Sequence, residues 1–321
     1  MQAVRVYEGG ELRFEQAEDP VAGPGEVVVE LRFAGLNRRD LLVARGVYPF
    51  PLPLVPGSDG AGVRRDTGEE VVVYPALRWG EREDAPGEGW EILGGPSDGT
   101  YAELVKVPEA NVASRPKRLS WEESAVFALG GLTAYRALFS RAGLRSGETV
   151  LLLGAGSGVT SLAVSLAAQA GARVLVTSSS TEKIERAKEL GAEGGVLYTE
   201  GDWPAAVKAL AGGGVDVVLD SVGSTWADSA RCLRPGGRLV VFGATGGTEV
   251  ALEVRPFYFG QLSMLGTMMG SPRDFAGLME MVIEGNWKPV LDSVRPLEEA
   301  GAALERLESG DHFGKLALAV D

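Results

Sequence analysis

The chain has 321 residues, of which 45% are apolar, and a formal net charge of −13. Its length suits about two domains with sizeable cores. The acidic balance argues against nucleic acid or an anionic membrane surface as a partner, and no stretch reaches the roughly 18 apolar residues of a membrane helix.

Two further counts exclude more. His312 is the only histidine and Cys232 the only cysteine. An internal disulfide is impossible, and a lone thiol suits a reducing cytoplasm. A zinc site draws on several Cys, His or carboxylate ligands, so a structural four-cysteine site is excluded and a catalytic one would rest mainly on carboxylates. Ser/His/Asp or Cys/His catalysis would have to recruit His312.

In chain order, residues 1–10 read as a short strand and turn and not as a leader. Short β runs follow at 26–33, 70–74 and 102–107, separated by turn clusters at 23–25 and 51–62. This is the pattern of a small, mostly β domain. Residues 80–99 are polar and aperiodic and read as an exposed loop. Ser120 and Glu123 have capping-box spacing and open a helix running through 125–129. From residue 149 strands and helices alternate. Strands are expected at 150–153, 173–177, 195–198, 215–220 and 238–242, with helices at 158–170, from the Ser179–Glu182 capping box to Gly191, near 203–211 and near 225–233. Such alternation implies a doubly wound parallel sheet. A strand at 261–267, a helix from Pro272 to Gly285, an amphipathic helix at 296–308 and a strand at 315–320 complete the chain. The fold class is therefore α/β, with a mostly β domain beside a Rossmann domain.

The segment Val150-Leu-Leu-Leu-Gly-Ala-Gly-Ser-Gly158 is an apolar strand entering a glycine-rich turn and then a helix. Such a turn lets the backbone approach a pyrophosphate at a helix N-terminus. The strict G-x-G-x-x-G form is absent; Gly156, Gly158 and Ser161 come nearest. An Asp or Glu ordinarily ends the second strand and binds the ribose hydroxyls of NAD. Here Thr177 and Ser178 stand in its place. A carboxylate about 4 Å from a phosphate charge would cost roughly 4 kcal/mol at an effective dielectric of 20. Its absence favours NADPH, with Ser178, Ser179 and Lys183 as donors to the 2′-phosphate. The competing reading leaves the serines as helix caps and Lys183 in solvent.

The ordered set of motifs resembles the medium-chain dehydrogenase/reductase superfamily, and within it the zinc-free quinone oxidoreductase-like branch. The set comprises Ala34-Gly-Leu-Asn-Arg-Arg-Asp40, Gly46-Val-Tyr-Pro49, Val55-Pro-Gly-Ser-Asp-Gly-Ala-Gly62, Asp98-Gly-Thr-Tyr-Ala-Glu103, Leu129-Gly-Gly-Leu-Thr-Ala-Tyr135, Asp220-Ser-Val-Gly223 and Gly314-Lys315. The resemblance implies a GroES-like catalytic domain over 1–118, a Rossmann domain over 119–266 and a return segment over 267–321. Zinc-dependent members carry Gly-His-Glu where this chain has Gly57-Ser58-Asp59, and cysteines where it has none. Thr160 departs from the glycine usual in the turn.

Carried over residue by residue, Gly156, Ser157, Gly158 and Val159 would face the pyrophosphate. Val222, Gly243, Ala244 and Thr245 would meet the nicotinamide ribose, and Thr133 and Asn37 would flank the nicotinamide. Met268 and Met269 would approach from the return strand or else fill core, and Lys315 would lie near the cofactor or else on the surface. The implied reaction is hydride transfer from NADPH to a quinone or enone without a metal. Tyr48 would donate the proton, unless solvent does, and Asn37 would hydrogen-bond the carbonyl; Asp40 and Asp59 are read as structural. An alkenal or enoyl C=C reductase, or a redox-inert dinucleotide-binding protein, is the alternative. The expected partners are a small-molecule substrate and a second copy of the chain, paired through sheet edges at 240–244 and 262–266.

Overall fold

The computed structural model describes residues 1–320, and the chain divides into two compact units. The first comprises Met1–Leu132, Gly270–Glu284 and Lys288–Asp321; the second comprises Thr133–Met269 and Gly285–Trp287.

The first unit opens with an antiparallel pair, β1 (Gln2–Val6) and β2 (Leu12–Gln16). The long β3 (Glu26–Gly35) leads through Asn37 into α1 (Arg38–Ala44). Along β3, Val27, Val29 and Leu31 are buried at period two, as one core-facing side of a strand requires. Next come β4 (Asp59–Arg64), β5 (Glu70–Val73), the short pair β6 (Ala76–Leu77) and β7 (Glu91–Ile92), then β8 (Leu104–Pro108) and β9 (Val112–Ser114).

Two expectations change here. The glycine-rich stretch read as a turn cluster contains β4. Gly62 is obligatory there, because a Cβ would lie 2.1 Å from the carbonyl oxygen of Glu30 on β3. The stretch read as a loop over 80–99 contains β7, whose Glu91 is buried and forms an ion pair with Arg78.

The Ser120–Glu123 capping box is formed, but it opens only a single turn, α2 (Trp121–Ser124). The helix proper is α3 (Ala128–Tyr135), which continues as a π-helical turn over 136–141. The first unit extends to Leu132, past the boundary expected at 118, and within it the Leu129 N–H bonds the Asp59 carboxylate on β4 at 2.6 Å.

The second unit is built on β10 (Thr149–Leu152), α4 (Gly158–Gln169), β11 (Arg173–Ser178), α5 (Thr181–Glu189), β12 (Gly194–Leu197), α6 (Trp203–Ala211), β13 (Val215–Asp220), α7 (Trp226–Cys232), β14 (Leu233–Val241), α8 (Val254–Phe259) and β15 (Ser263–Gly266). The strands form one parallel sheet ordered β12-β11-β10-β13-β14-β15. Val150, Leu151 and Leu152 are buried on both faces, as expected for a central parallel strand covered by helices. α5 is capped by Ser180, one residue later than expected: its Oγ accepts the N–H of Lys183 at 3.3 Å.

The chain then re-enters the first unit with α9 (Pro272–Glu284), β16 (Leu291–Pro296), α10 (Ala300–Ser309) and β17 (Lys315–Ala319). The amphipathic helix expected from 296 is entered through a 3-10 turn over Leu297–Glu299 and runs as α10 from Ala300; only Pro296 belongs instead to β16, which is parallel to β17. β17 pairs antiparallel with the end of β3 and so completes a seven-stranded sheet. This pairing brings Lys315 beside Asn37.

Candidate active site

In the second unit the expected cofactor residues gather at the carboxyl ends of adjacent parallel strands. Gly154 and Gly156 have φ of 74° and 99°, which favours glycine, and turn the chain from β10 into α4. Ser157 caps α4, its Oγ accepting the Thr160 N–H at 3.2 Å. Thr160 suits its position despite replacing a glycine: its hydroxyl donates to the Leu153 carbonyl at 2.8 Å, so a hydrogen bond ties helix to strand. The first-turn N–H groups of this twelve-residue helix and its positive dipole end suit an anionic pyrophosphate.

The neighbouring strand ends are equally ordered. Asp220, buried at the end of β13, accepts from the N–H groups of Val222 and Gly223 and from the hydroxyls of Thr225 and Ser229. It thereby fixes the turn that carries Val222. The turn after β14, with Gly243, Ala244 and Thr245, packs on it through the 2.7 Å bond from Gly246 N–H to the Val222 carbonyl. At the end of β11 the Ser178 hydroxyl is buried and accepts the Ser180 N–H at 3.2 Å, whereas Ser179 is exposed. Lys183 lies half-buried on the first turn of α5. Thr133 is buried on α3. Met268 is exposed, while Met269 is buried with a φ of 46°, at the point where the chain leaves the second unit.

In the first unit Asn37 and Lys315 meet in a buried polar network. The Lys315 ammonium donates to the Leu36 carbonyl at 2.7 Å, to Asn37 Oδ1 at 2.6 Å and to Asp59 Oδ2 at 3.4 Å. The Asn37 amide nitrogen donates to Asp59 Oδ2 at 3.0 Å. The surface alternative for Lys315 is thus overturned: its side chain is 3% exposed. A buried ammonium needs a counter-charge and acceptors, and Asp59 with two oxygens supplies them. The ammonium also decides which way the Asn37 amide points, because only Oδ1 can accept from it.

Asp40, one turn further on, is fully buried. Its Oδ2 accepts the Asn37 N–H at 2.8 Å and the Tyr101 hydroxyl at 3.0 Å, while Oδ1 has no partner. Burial pushes its carboxyl up to about 6, and the same burial raises the Tyr101 phenol well above its ordinary value.

Tyr48 lies apart from this network, on the exposed segment following α1, and is 39% exposed. Its neighbour Phe50 stacks on it with ring centroids 5.8 Å apart. Sequence reasoning passed over Arg39, whose guanidinium lies 5.6 Å from the Tyr48 ring centre and 5.5 Å from that of Phe50. Only its place within Asn37-Arg-Arg-Asp40 pointed to it.

The Ser58 position offers no zinc site. Its hydroxyl is buried and donates to the Leu93 carbonyl at 2.7 Å. Asp59 beside it is consumed by Asn37, Lys315 and the Leu129 N–H. Among the described residues no group of three or more His, Cys, Asp or Glu side chains is disposed to hold a metal ion.

Comparison with known proteins matches residues 158–284 to the zinc-binding dehydrogenase family and residues 23–117 to the alcohol dehydrogenase GroES-like domain. A zinc-type alcohol dehydrogenase-like protein of Schizosaccharomyces pombe is 34% identical over 97% of this chain and 96% of its own. A quinone oxidoreductase of Mus musculus is 30% identical over 99% of this chain and 97% of its own. Among solved structures, an NAD-dependent alcohol dehydrogenase superposes with a TM-score of 0.95 at 39% identity, covering 100% of both chains.

Proposed function

We propose that this chain, which belongs to the medium-chain dehydrogenase/reductase superfamily, is an NADPH-dependent reductase of quinones and related conjugated carbonyls that works without zinc. The observation that carries the reading is the fixed amide of Asn37. With Oδ1 turned to Lys315 and one N–H turned to Asp59, the remaining N–H is a donor of fixed direction. An amide N–H polarises a carbonyl far less than a divalent cation does. The substrate must then bring its own electrophilicity, which conjugation supplies.

The bound dinucleotide supplies hydride from its nicotinamide. Gly156, Ser157, Gly158 and Val159 bind its pyrophosphate at the start of α4. Ser179 and Lys183 take the adenosine phosphate, and Ser178 shapes the backbone beneath them. Val222, Gly243, Ala244, Thr245, Thr133 and the two methionines, Met268 and Met269, line the nicotinamide end, while Lys315 serves through Asn37. Asn37 orients the carbonyl and the Tyr48 hydroxyl delivers the proton. The choice of NADPH rests on the missing acid at the end of β11; the solved relative named above is called NAD-dependent. The setting is a reducing cytoplasm, in which the buried thiol of Cys232, pushed up to about 12 by desolvation, stays protonated. The active form is a homodimer.

A panel tests this. Oxidation of NADPH and NADH is followed with 1,4-benzoquinone and with an enone, and reduction of NADP with an alcohol. NADPH with the quinone is expected to exceed NADH by about tenfold or more in kcat/KM. Asn37→Ala and Tyr48→Phe are expected to lower kcat by roughly ten- to a hundredfold with cofactor affinity unchanged. Turnover with the alcohol alone, or activity that tracks added zinc, overturns the proposal. A saturated ketone from the enone identifies C=C reduction instead, and no turnover with any substrate identifies a redox-inert dinucleotide-binding protein.

A further inference from the structure

The surroundings of Tyr48 carry more than a proton donor. Phe50 N–H bonds the Tyr48 carbonyl at 2.9 Å, a tight turn that sets the two rings side by side with their planes 22° apart. Phe50 rests on bare backbone: a Cβ on Gly95 would lie 2.5 Å from two of its ring carbons. Arg39 closes the arrangement. Its Nη2 donates to the Gly95 carbonyl at 2.7 Å and its Nη1 to the Gly94 carbonyl at 3.3 Å, so one planar fork anchors the loop beneath Phe50 while its charge lies against both rings. Burial lowers the pKa of this guanidinium, and a desolvated cation is held more strongly by aromatic rings than a solvated one. Tyr48 is nonetheless left exposed. An exposed aromatic ring immobilised from behind has little conformational freedom left to lose on binding.

We propose that Tyr48 and Phe50 form a stacking subsite for a planar, electron-poor ring, and that Arg39 is the positioning residue that holds it in place. The ring face of a tyrosine is the negative lobe of its quadrupole and pairs best with an electron-deficient ring in offset stacking. A conjugated cyclic dione has that character; an acyclic enone offers no ring to stack. The subsite thus deepens the quinone reading above, and rests on it for the chemistry but not for the binding. It sets specificity, favouring fused-ring quinones over open-chain enones of equal reactivity.

The test uses the full chain, with Arg39→Ala, Arg39→Lys and Phe50→Leu variants. Dissociation constants for 1,4-naphthoquinone are measured without cofactor, and KM and kcat for 1,4-naphthoquinone and for methyl vinyl ketone with it. Arg39→Ala is expected to weaken naphthoquinone binding by about tenfold. Arg39→Lys is expected to weaken it comparably, since an ammonium lacks the planar fork that reaches both carbonyls while its charge lies against the rings. KM for methyl vinyl ketone should move by less than about threefold. Phe50→Leu leaves Arg39 intact and reports on the subsite should Arg39→Ala not fold. Equal rises in KM for ring and open-chain substrates, unchanged naphthoquinone affinity in all variants, or no naphthoquinone binding by the wild type would each overturn the subsite, whereas an equal fall in kcat reports only the displacement of Tyr48 as proton donor. Naphthoquinone binding that depends on Arg39 but leads to no reduction would instead overturn the quinone reductase reading and leave the subsite standing.

Discussion

Asp40 is fully buried, and only one of its carboxyl oxygens has partners. Desolvation raises its pKa, the Asn37 N–H, the nearby Arg39 charge and the Tyr101 hydroxyl lower it, and Asp59 raises it slightly; the balance stands at about 6 against an ordinary value of 3.8. That difference of about 2 units is worth about 3 kcal/mol. The folded chain therefore holds this proton more tightly than the unfolded chain. The associated stability is fully present below pH 4 and is lost as pH rises through about 6. Carboxylates such as Glu11, Asp19 and Glu70 act in the opposite sense, because their partners lower their pKa values. Asp40→Asn isolates the effect, since it is neutral at every pH. Denaturant melts between about pH 4 and pH 8 should show wild type losing up to about 3 kcal/mol relative to the variant as pH rises. Curves that stay parallel across that range would sink the assignment.

At the scale of the element, the proposed preference for NADPH rests on the end of β11. Ser178 already accepts the Ser180 N–H through its side chain, so an aspartate there keeps that bond and turns its second oxygen outward. Against a 2′-phosphate the new charge costs up to about 4 kcal/mol, which solvent screening reduces to about 1–3 kcal/mol. Ser178→Asp should therefore raise KM for NADPH by roughly ten- to a hundredfold and lower KM for NADH. A variant that weakens both cofactors equally would refute the assignment of β11 as the discriminating strand. The parallel strands were legible in the sequence because their runs are apolar on both faces and separated by helices at regular spacing. β4 was not, since Gly60 and Gly62 are there to let β3 approach, which composition alone reads as turn. β16 was equally hidden: Leu291–Pro296 is only partly buried and acquires its role by pairing with β17, far from any local pattern. The candidate site divides the same way. Gly156 and Ser157 announce themselves by order along the chain. The meeting of Lys315 with Asn37 needs the pairing of β17 with β3, and Arg39 needs a loop more than fifty residues away to give it acceptors.

For the whole molecule, the proposal of a homodimer rests on the outer edge of the second unit. β15 pairs with β14 on one side only and ends the sheet. An open edge of exposed backbone is a template for another strand, and monomeric proteins usually cover or charge it. Here the strand's own residues Ser263, Met264, Leu265 and Gly266 carry no charge, and only its Gly266 end is capped, where the Arg141 guanidinium donates to the Gly266 carbonyl at 3.0 Å. Beside it α8 exposes Val254 at 74%, Tyr258 at 52% and Phe259 at 71%, a grouping that costs solubility unless another surface covers it. A second copy related by a two-fold axis answers the first need, because β15 can pair antiparallel with itself, and the proposed dimer would cover the α8 patches in the same contact. A net charge of −13 per chain opposes association at long range, so the contact should tighten with salt. Sedimentation should then report twice the 33.7 kDa mass of the chain. Replacing Tyr258 and Phe259 together by aspartate should return a single-chain mass with the thermal transition of the fold retained, since neither side chain belongs to a core. A monomeric wild type at micromolar concentration, or a dimer that survives the double substitution, would show that the edge of β15 is covered in some other way.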